Sequence, residues 1–322
     1  MPKQLRSGVP ERTKKLPNLV EVYLLACRAE GKSPSTLRWY GQKLRFLCDF
    51  LKRSRLSLDP KDLSPEIVRL LTTRVQATGV SPFTTRGLVQ VIKGFYTWLE
   101  MEGYLRESPI RRVKLPKTPR YVVRPIEDDE VARILDGIDP RTRAGSRDLA
   151  IFLLLLDTGM RLGELAGLSD EDGRTALRSG ALRVFGKGAR ERVVPIGLTT
   201  QNALLRYLEM HRPQTASPVL FLGRDNRPLT AEGHRQIIRR ASQRAVVEGV
   251  HPHRLRHTAA VTFLRSGGDV FTLQKILGHS TLDMTRNYVT LTDADVKAAH
   301  DRASPADRFF RGSTRARRRV RP

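Results

Sequence analysis

The sequence has few acidic residues for its size. Its 322 residues include 33 Asp and Glu against 58 Lys and Arg, which gives a formal net charge of +25 at pH 7. A chain this basic is expected to bind a polyanion, with an affinity that falls steeply as salt is added. A ribosomal or chromatin-type protein would have the same charge, so charge indicates the partner and leaves fold and reaction open.

Cysteines and long apolar runs are also scarce. The two cysteines, Cys27 and Cys48, have apolar neighbours and no nearby histidine, which indicates small buried side chains in a reducing cytosol rather than a zinc site. The main apolar run, from Ala150 to Leu156, is too short to span a bilayer. The basic N-terminus lacks the apolar stretch of a secretory signal. We therefore expect a cytoplasmic protein with no membrane partner.

Residues 16–107 have the apolar spacing of a small helical domain. Apolar side chains recur there at steps of three and four, for example at Leu37, Tyr40, Leu44, Leu47 and Leu51. Such segments follow three Ser-Pro pairs, which are typical of helix starts: Ser33-Pro34, Ser64-Pro65 and Ser81-Pro82. The pattern predicts about four helices, the last ending near Gly103.

Three basic segments flank or join the predicted domains. Residues 1–15 hold five basic residues and one acid, which predicts a basic N-terminal arm. Residues 108–125 hold four prolines, six basic residues and no acid, which predicts a linker lying on the ligand, with a simple soluble tether as the alternative. Residues 306–322 form an Arg-rich tail that is either a phosphate-binding arm or a solvated end.

Residues 126–305 predict a larger, mostly helical domain with a small antiparallel sheet, so the chain as a whole is predicted to be mainly α. Ser146 is the expected cap of an apolar helix that runs through Leu156. Two β-prone runs, Ala181–Phe185 and Glu191–Ile196, flank a Gly-Lys-Gly turn and predict a hairpin or a three-stranded turn. Further helices are expected around Thr200–His211, Thr230–Val246, Arg254–Leu264, Val270–Leu277 and Leu282–Thr290.

Two cationic candidates lie in the first half of this domain. In TGMRLGEL, Gly159 is expected to break a buried helix just before Arg161, and Glu164 can orient the arginine by a charge-assisted hydrogen bond. An ordinary surface ion pair is the alternative. Lys187 sits between two glycines that let the turn approach a ligand closely. The turn lacks the pattern of a phosphate-binding P-loop, and a lysine that merely decorates a hairpin is the alternative.

The remaining candidates lie near the end of the domain. In HPHRLRHT, His253, Arg256 and His257 share one helix face, where an anion would relieve their repulsion and a solvated basic stripe is the alternative. In LGHS, a glycine suited to ending a helix precedes His279, whose ring can then point into a cleft or serve a structural role. Tyr288 follows nine residues later in RNYV, and taken alone it would be an ordinary core or surface residue.

Taken in this order, TGMRLGEL, GKGARER, HPHRLRHT, LGHS and RNYV resemble the tyrosine recombinase, or phage integrase, family, which includes the Xer recombinases. The resemblance covers nearly the whole chain. It implies a helical core DNA-binding domain followed by a catalytic domain. It also implies catalytic roles for Arg161, Lys187, His253, Arg256, His279 and Tyr288. Glu164 and His257 match supporting positions of the family.

The resemblance also implies a reaction. Tyr288 would attack a DNA phosphodiester and form a 3′-phosphotyrosyl link, with Lys187 as general acid, His253 as general base and His279 as a hydrogen-bond donor to the phosphate. Arg161 and Arg256 would hold the non-bridging oxygens. No cofactor or metal is expected, since no carboxylate cluster is evident.

Family members act as homo-tetramers on two DNA duplexes and exchange strands through a Holliday junction. The sequence does not separate a mobile-element enzyme from one that resolves chromosome dimers, and either would be expected to associate with the nucleoid. A type IB topoisomerase-like enzyme and a non-catalytic DNA-binding module are the alternatives. A short C-terminal helix around Asp293–Arg302, with Phe309-Phe310 as an apolar anchor, is expected to dock on a neighbouring protomer.

Overall fold

The computed structural model describes residues 15–119, 123–186, 191–279 and 304–311, together with positions 281, 282, 285, 297, 300 and 301. The chain divides into two compact units, Met1–Tyr121 and Val122–Pro322. Each unit has its own hydrophobic core. Within the described residues the secondary structure is mostly helical, with one two-stranded antiparallel sheet. The predicted mainly α fold class is therefore confirmed.

The first unit consists of α1 (Leu16–Ala29), α2 (Pro34–Arg53), α3 (Pro65–Ala77) and α4 (Pro82–Met101), with a 3₁₀ turn at Pro60–Asp62. All three predicted serine caps are present. The hydroxyls of Ser33, Ser64 and Ser81 accept hydrogen bonds from the backbone N–H three residues on, at 3.2, 3.4 and 3.3 Å. A proline fills the first position of each helix, where no backbone donor is needed. Local sequence therefore sets where these helices begin.

The core of the first unit is formed by the predicted apolar faces. Leu44, Leu47 and Leu51 of α2 pack in one cluster with α4 residues such as Phe95. Cys27 and Cys48 are buried in the same cluster as free thiols, as predicted. Burial raises the pKa of Cys48 to about 11, so its thiol stays protonated and unreactive at neutral pH.

The proline-rich segment predicted as a linker begins as part of the first unit. Ile110 and Val113 are buried in its core. Two basic side chains of α4 hold the adjoining backbone. Lys93 donates to the carbonyls of Arg111 (3.0 Å) and Val113, and Arg86 donates to the carbonyl of Pro116 at 2.9 Å. A backbone interrupted by prolines leaves carbonyls without ladder partners, and these cations bind them.

The second unit contains most of the helices. They are α5 (Asp128–Asp136), α6 (Arg143–Thr158), α7 (Leu162–Ala166), α8 (Asp170–Ser179), α9 (Leu198–Arg206), α10 (Ala231–Arg244), α11 (Pro252–Arg265), α12 (Val270–Leu277) and α13 (Pro305–Arg311). A π-helical turn at Tyr207–His211 continues α9. The apolar centre of α6 lies in the core. Of the helices in the described residues, none combines the length and apolar character needed to cross a bilayer.

The predicted start of α6 at Ser146 is wrong. The helix begins at Arg143, and Thr142 is its cap, because the Thr142 hydroxyl accepts from the backbone N–H of Gly145 at 3.0 Å. Ser146 lies inside the helix and is 1% exposed. A Cβ on Gly145 would lie only 1.9 Å from the carbonyl oxygen of Asp139, so glycine permits the close turn that places the cap one turn earlier.

The sheet pairs β1 (Ala181–Phe185) with β2 (Glu191–Pro195) in antiparallel register, with Val184 opposite Arg192. The predicted hairpin strands are thus present, and within the described residues the sheet has two strands rather than three. Side chains alternate between the core and solvent, and α12 contacts β2. This contact brings the end of α12, and with it the LGHS motif, next to the hairpin.

Candidate active site

Arg161 is placed by the end of one helix and the start of the next. α6 ends at Gly159, which has φ 58°, a left-handed conformation that glycine adopts without strain. A Cβ on Gly159 would also lie 2.7 Å from Leu277 Cδ2, so a side chain there would displace Leu277. Arg161 then caps α7, with its side chain 42% exposed. The predicted helix break before this arginine is therefore confirmed.

The Glu164 carboxylate is shared by two arginines. Oε1 accepts from Arg161 Nη1 at 3.1 Å and Arg192 Nη1 at 3.0 Å. Oε2 accepts from the Arg161 backbone N–H at 2.8 Å and Arg192 Nη2 at 2.7 Å. The four bonds occupy the acceptor positions that a carboxylate offers. Glu164 contacts Arg161 as expected, but Arg192, which the sequence analysis missed, makes the paired contact.

The ionisation of Glu164 follows from these contacts. Its burial alone would raise the pKa, but the hydrogen bonds from Arg192 and from the Arg161 backbone N–H, with the positive charge of Arg192, hold the pKa below its ordinary value. Glu164 therefore remains a carboxylate at neutral pH. Its saturated oxygens orient arginines and leave no lone pair for a metal ion.

Arg256 is a buried cation held by the ends of two helices. It is 5% exposed. Nη1 donates to the carbonyl of Gly159 at 2.6 Å, and Nη2 donates to the carbonyl of Leu277 at 2.9 Å. These carbonyls lie at the C-terminal ends of α6 and α12, where the helix dipoles carry partial negative charge. That charge compensates for the burial of the guanidinium.

His279 lies beside Arg256. Gly278 ends α12 with φ 64°, as predicted, and turns the chain so that His279 becomes buried, at 9% exposed. Its Nε2 is 2.7 Å from Arg256 Nη2, and its Nδ1 is 2.9 Å from the hydroxyl of Thr285. Since an arginine only donates, Nε2 is the acceptor, and the neutral ring carries its proton on Nδ1.

The pKa of His279 shows which charges surround it. Burial and then the charges of Arg256, Arg161, Arg192 and His253 lower this pKa to about 4. The cationic ring is disfavoured because the ring is buried and three arginine guanidinium groups lie close by. The structure thus brings Arg161, Arg256, His279 and His253 together, as well as the unpredicted Arg192.

The three candidate residues of HPHRLRHT, His253, Arg256 and His257, lie in different environments. His253, in the first turn of α11, is exposed, whereas Arg256 and His257 are buried. Burial lowers the pKa of His257, and the neighbouring His253 lowers it further. The face of α11 that carries these residues runs from an exposed first turn into the core, so its side chains pass from solvent to the interior. A fully solvated stripe is therefore not what the structure shows.

Two predicted residues, Lys187 and Tyr288, lie outside the described residues. The described part of the hairpin resumes at Glu191, four residues after Lys187. In the residues that the structure describes, no group of three or more His, Cys, Asp or Glu side chains is placed to hold a metal ion.

Arg192 could have been found from the alternation of β2. Val194 of that strand is buried, while Glu191, Val193 and Pro195 face outward. Arg192 lies two residues from Val194 and therefore points to the same inner side. A charged residue on the inner face of a strand needs a partner, and that need was the available signal.

We expect the pH dependence of stability to report on His279. Its pKa of about 4 in the folded protein lies below the unfolded value of 6.5. The folded state therefore binds this proton less well, so the contribution to stability is complete above about pH 6.5 and is lost as pH falls toward about 4. The free energy of unfolding, measured with urea, should fall more between about pH 7 and about pH 5 in the wild type than in His279→Gln.

Glutamine is the matched replacement, because its amide can accept from Arg256 and donate to Thr285 without titrating. The other buried histidines titrate in both proteins and cancel in the comparison. An identical pH dependence in the two proteins would contradict the depressed pKa.

Comparison with known proteins identifies the family. The phage integrase family profile matches residues 124–295, more than half of the chain. Tyrosine recombinase XerC of Oceanobacillus iheyensis is 31% identical over 283 residues, which cover 86% of this chain and 92% of the relative. The chain belongs to the phage integrase family. As a tyrosine recombinase of Xer type, it is an enzyme of DNA strand breaking and rejoining.

Other members and solved structures agree with this assignment. XerC of Pseudomonas aeruginosa is 32% identical over 289 residues, covering 89% of this chain and 94% of the relative. The Tn1549 transposon integrase in complex with circular intermediate DNA matches with a TM-score of 0.69 at 19% identity, over 88% of this chain and 99% of that one. A lambda integrase dimer bound to a core site matches with 0.68 at 17% identity, over 84% and 97%. These two structures share the fold.

Proposed function

We propose that the protein is a site-specific recombinase or integrase that cleaves double-stranded DNA through a 3′-phosphotyrosyl intermediate on Tyr288. The observation that carries this proposal is the contact of Arg256 Nη2 with His279 Nε2 at 2.7 Å, with Arg161 and His253 close enough to lower the pKa of His279. Glu164, the acid beside Arg161, has both its oxygens occupied by arginine contacts. Such a cluster suits the extra negative charge that develops on a phosphate under attack.

Tyr288 is close enough along the chain to reach this cluster. It follows His279 by nine residues, a stretch that spans at most about 30 Å when fully extended. Its family position and its chemistry support the role of nucleophile. Lys187, which lies in sequence between β1 and the strand that carries Arg192, is the proposed general acid.

The proposed step transfers one phosphoryl group. The phenolic oxygen of Tyr288 forms a bond to phosphorus, and the bond from phosphorus to the 5′ oxygen breaks. His253 takes the phenolic proton, and Lys187 gives a proton to the leaving 5′ oxygen. Arg161 and Arg256 stabilise the non-bridging oxygens. The phosphotyrosyl bond conserves the energy of the phosphodiester, so a 5′-hydroxyl of another strand can reverse the step without ATP.

His279 is proposed to donate a hydrogen bond to the same phosphate. In this structure its Nε2 accepts from Arg256, so donation through Nε2 requires a proton on that nitrogen, either in the other neutral tautomer or in the cationic ring. The negative charge of a bound phosphate would favour that proton, because it offsets the cations that now disfavour it. Glu164 and His257 support the site, Glu164 by orienting Arg161.

The assembly is proposed to be a homo-tetramer on two duplexes, which exchanges strands in two steps through a Holliday junction. Most of the expected helix at Asp293–Arg302 lies outside the described residues. Helix α13 follows it, and its Phe309 is 79% exposed, which suits a docking role on a neighbouring protomer.

The domains are assigned in the same proposal. Residues 16–107 are the core DNA-binding domain and residues 126–305 the catalytic domain. Residues 108–125 are a basic segment that begins packed on the first unit and is proposed to lie on the DNA. The basic segments 1–15 and 306–322 would follow phosphates outside the core site. Work on chromosomal or mobile-element DNA would place the protein with the nucleoid.

The test is to map covalent adducts. Wild-type protein is incubated with a library of nicked genomic fragments, denatured, and the DNA attached to protein is sequenced. We expect adducts at one short sequence, with the protein attached to the 3′-phosphate end at the break and a free 5′-hydroxyl on the other end. Adducts without site preference would favour a topoisomerase-like enzyme, and the absence of adducts would favour a DNA-binding module. Either outcome would overturn the proposal.

A further inference from the structure

Arg192 stands between three elements of the active site. It is the second residue of β2, the strand that begins four residues after Lys187 in the sequence. Its guanidinium makes two bonds to Glu164, at 3.0 and 2.7 Å, and its Nε donates to the carbonyl of Ile276 at 2.8 Å. The side chain is 13% exposed. Arg192 therefore connects strand β2 to Glu164 of α7 and to the end of α12.

Each contact of Arg192 is with a group adjacent to a residue that is proposed to bind the phosphate. Glu164 holds both the backbone and the guanidinium of Arg161. Ile276 lies three residues before His279 and one residue before Leu277, whose carbonyl binds Arg256. Because these links run through hydrogen bonds of normal length, a shift of Arg192 would shift the groups attached to it.

The contact surface around Arg192 is closely packed. A Cβ on Gly278 would lie 3.1 Å from Arg192 Cδ, Nε and Nη1. The glycine thus serves two purposes, since it adopts the left-handed turn and leaves room for the guanidinium. A planar fork is also required, because only arginine can hold both carboxylate oxygens and a carbonyl at once.

We propose that Arg192 is a positioning residue for DNA cleavage, one that fixes Arg161 and His279 relative to each other and to the hairpin of Lys187. The inference rests on the proposed function, in which those residues bind the phosphate. Arg192 itself does not touch the substrate. Its effect is exerted through Glu164 on one side and through the end of α12 on the other.

The experiment compares two Arg192 variants with a matched control. Arg192→Gln removes the charge and the fork, and Arg192→Lys keeps the charge but cannot hold three acceptors. The control is Arg183→Gln on β1, which removes an arginine from the same sheet whose Nε lies 3.2 Å from Glu191 Oε1 in an exposed pair. Single-turnover cleavage of a nicked duplex and DNA affinity are measured for all four proteins.

We expect Arg192→Gln to cleave about 10- to 100-fold more slowly than wild type, since a misplacement of about 1 Å in a reacting group costs this much. Arg192→Lys should lose most of the same rate, which would show that geometry and not charge matters. DNA affinity should stay within about threefold for both variants. Arg183→Gln should match wild type in rate and affinity.

Two further readouts separate positioning from simple loss of stability. Combining Arg192→Gln with Glu164→Gln should slow cleavage less than the product of the two single effects, because both act through one contact. The pH profile of cleavage should also shift in Arg192→Gln, since Arg192, with Arg256, Arg161 and His253, is one of the charges that face His279. A residue that only stabilised the fold would leave the pH profile unchanged, and its coupling to Glu164 would appear in the urea midpoint and not in the cleavage rate of the folded protein.

The outcomes distinguish the two proposals. If wild type and Arg183→Gln form no covalent adduct, the proposed function fails. If they do and the Arg192 variants cleave at the wild-type rate, only the positioning role fails. If the Arg192 variants lose DNA affinity and cleavage rate by the same factor, the positioning role also fails. Should Arg192→Gln not fold, Arg192→Lys decides the matter by the same criteria.

Discussion

Replacement of Tyr288 by phenylalanine is expected to abolish DNA cleavage, with a loss of roughly 10⁴-fold or more, as for removal of other covalent nucleophiles. Phenylalanine has the same ring but no oxygen to bond to phosphorus. DNA affinity should change by no more than about threefold, because one hydroxyl contributes little to an interface dominated by phosphate contacts. Denaturing gels of the nicked duplex measure the adduct, and gel shifts measure the binding.

The matched control is Tyr104→Phe, the same substitution at a part-buried tyrosine of the first unit. It should form adducts at the wild-type rate. A persistent adduct in Tyr288→Phe would remove Tyr288 from its role. Loss of binding together with cleavage would instead show that the substitution acts on the fold.

Arg256→Ala is expected to have the second largest effect, a loss of cleavage of about 10³-fold, since it removes a preorganised donor to the developing charge. It should also destabilise the second unit. The carbonyls of Gly159 and Leu277 and the Nε2 of His279 would all lose this donor. Each buried acceptor left without a partner costs roughly 1–3 kcal/mol.

Arg265→Ala is the control for this prediction, because Arg265 is an exposed residue at the end of the same helix, α11. It should leave cleavage and the urea midpoint within error of the wild type. Arg256→Lys keeps a positive charge but cannot reach all three acceptors, so its rate should lie between those of Arg256→Ala and wild type. Cleavage by Arg256→Ala at the wild-type rate would contradict the proposed role of Arg256 in stabilising the phosphate charge.

Local signals in the sequence predicted many elements well. Ser33, Ser64 and Ser81 cap the helices that follow them, and Gly159 and Gly278 end helices in the left-handed conformation. A cap or a helix end depends on hydrogen bonds within a few residues, so these features are encoded locally.

Two features were predicted differently. Thr142 rather than Ser146 caps α6, because Gly145 allows Asp139 to approach the first turn; this contact is local, and the sequence offered two nearby candidates for the cap. The proline-rich stretch after residue 107 joins the first core because α4 supplies Lys93 and Arg86 to its carbonyls. That packing depends on side chains 18 and 30 residues away along the chain.

The sequence by itself determined which residue types are available at this site: basic and imidazole side chains in a fixed order, on elements whose ends can be read from nearby glycines and serines. Only the tertiary structure decided how they are held. The charge of Arg256 is compensated by carbonyls at the C-terminal ends of two helices. Arg192 contacts Glu164, 28 residues away along the chain, and the end of α12, 84 residues away. Such contacts depend on the packing of distant segments, which no local pattern encodes.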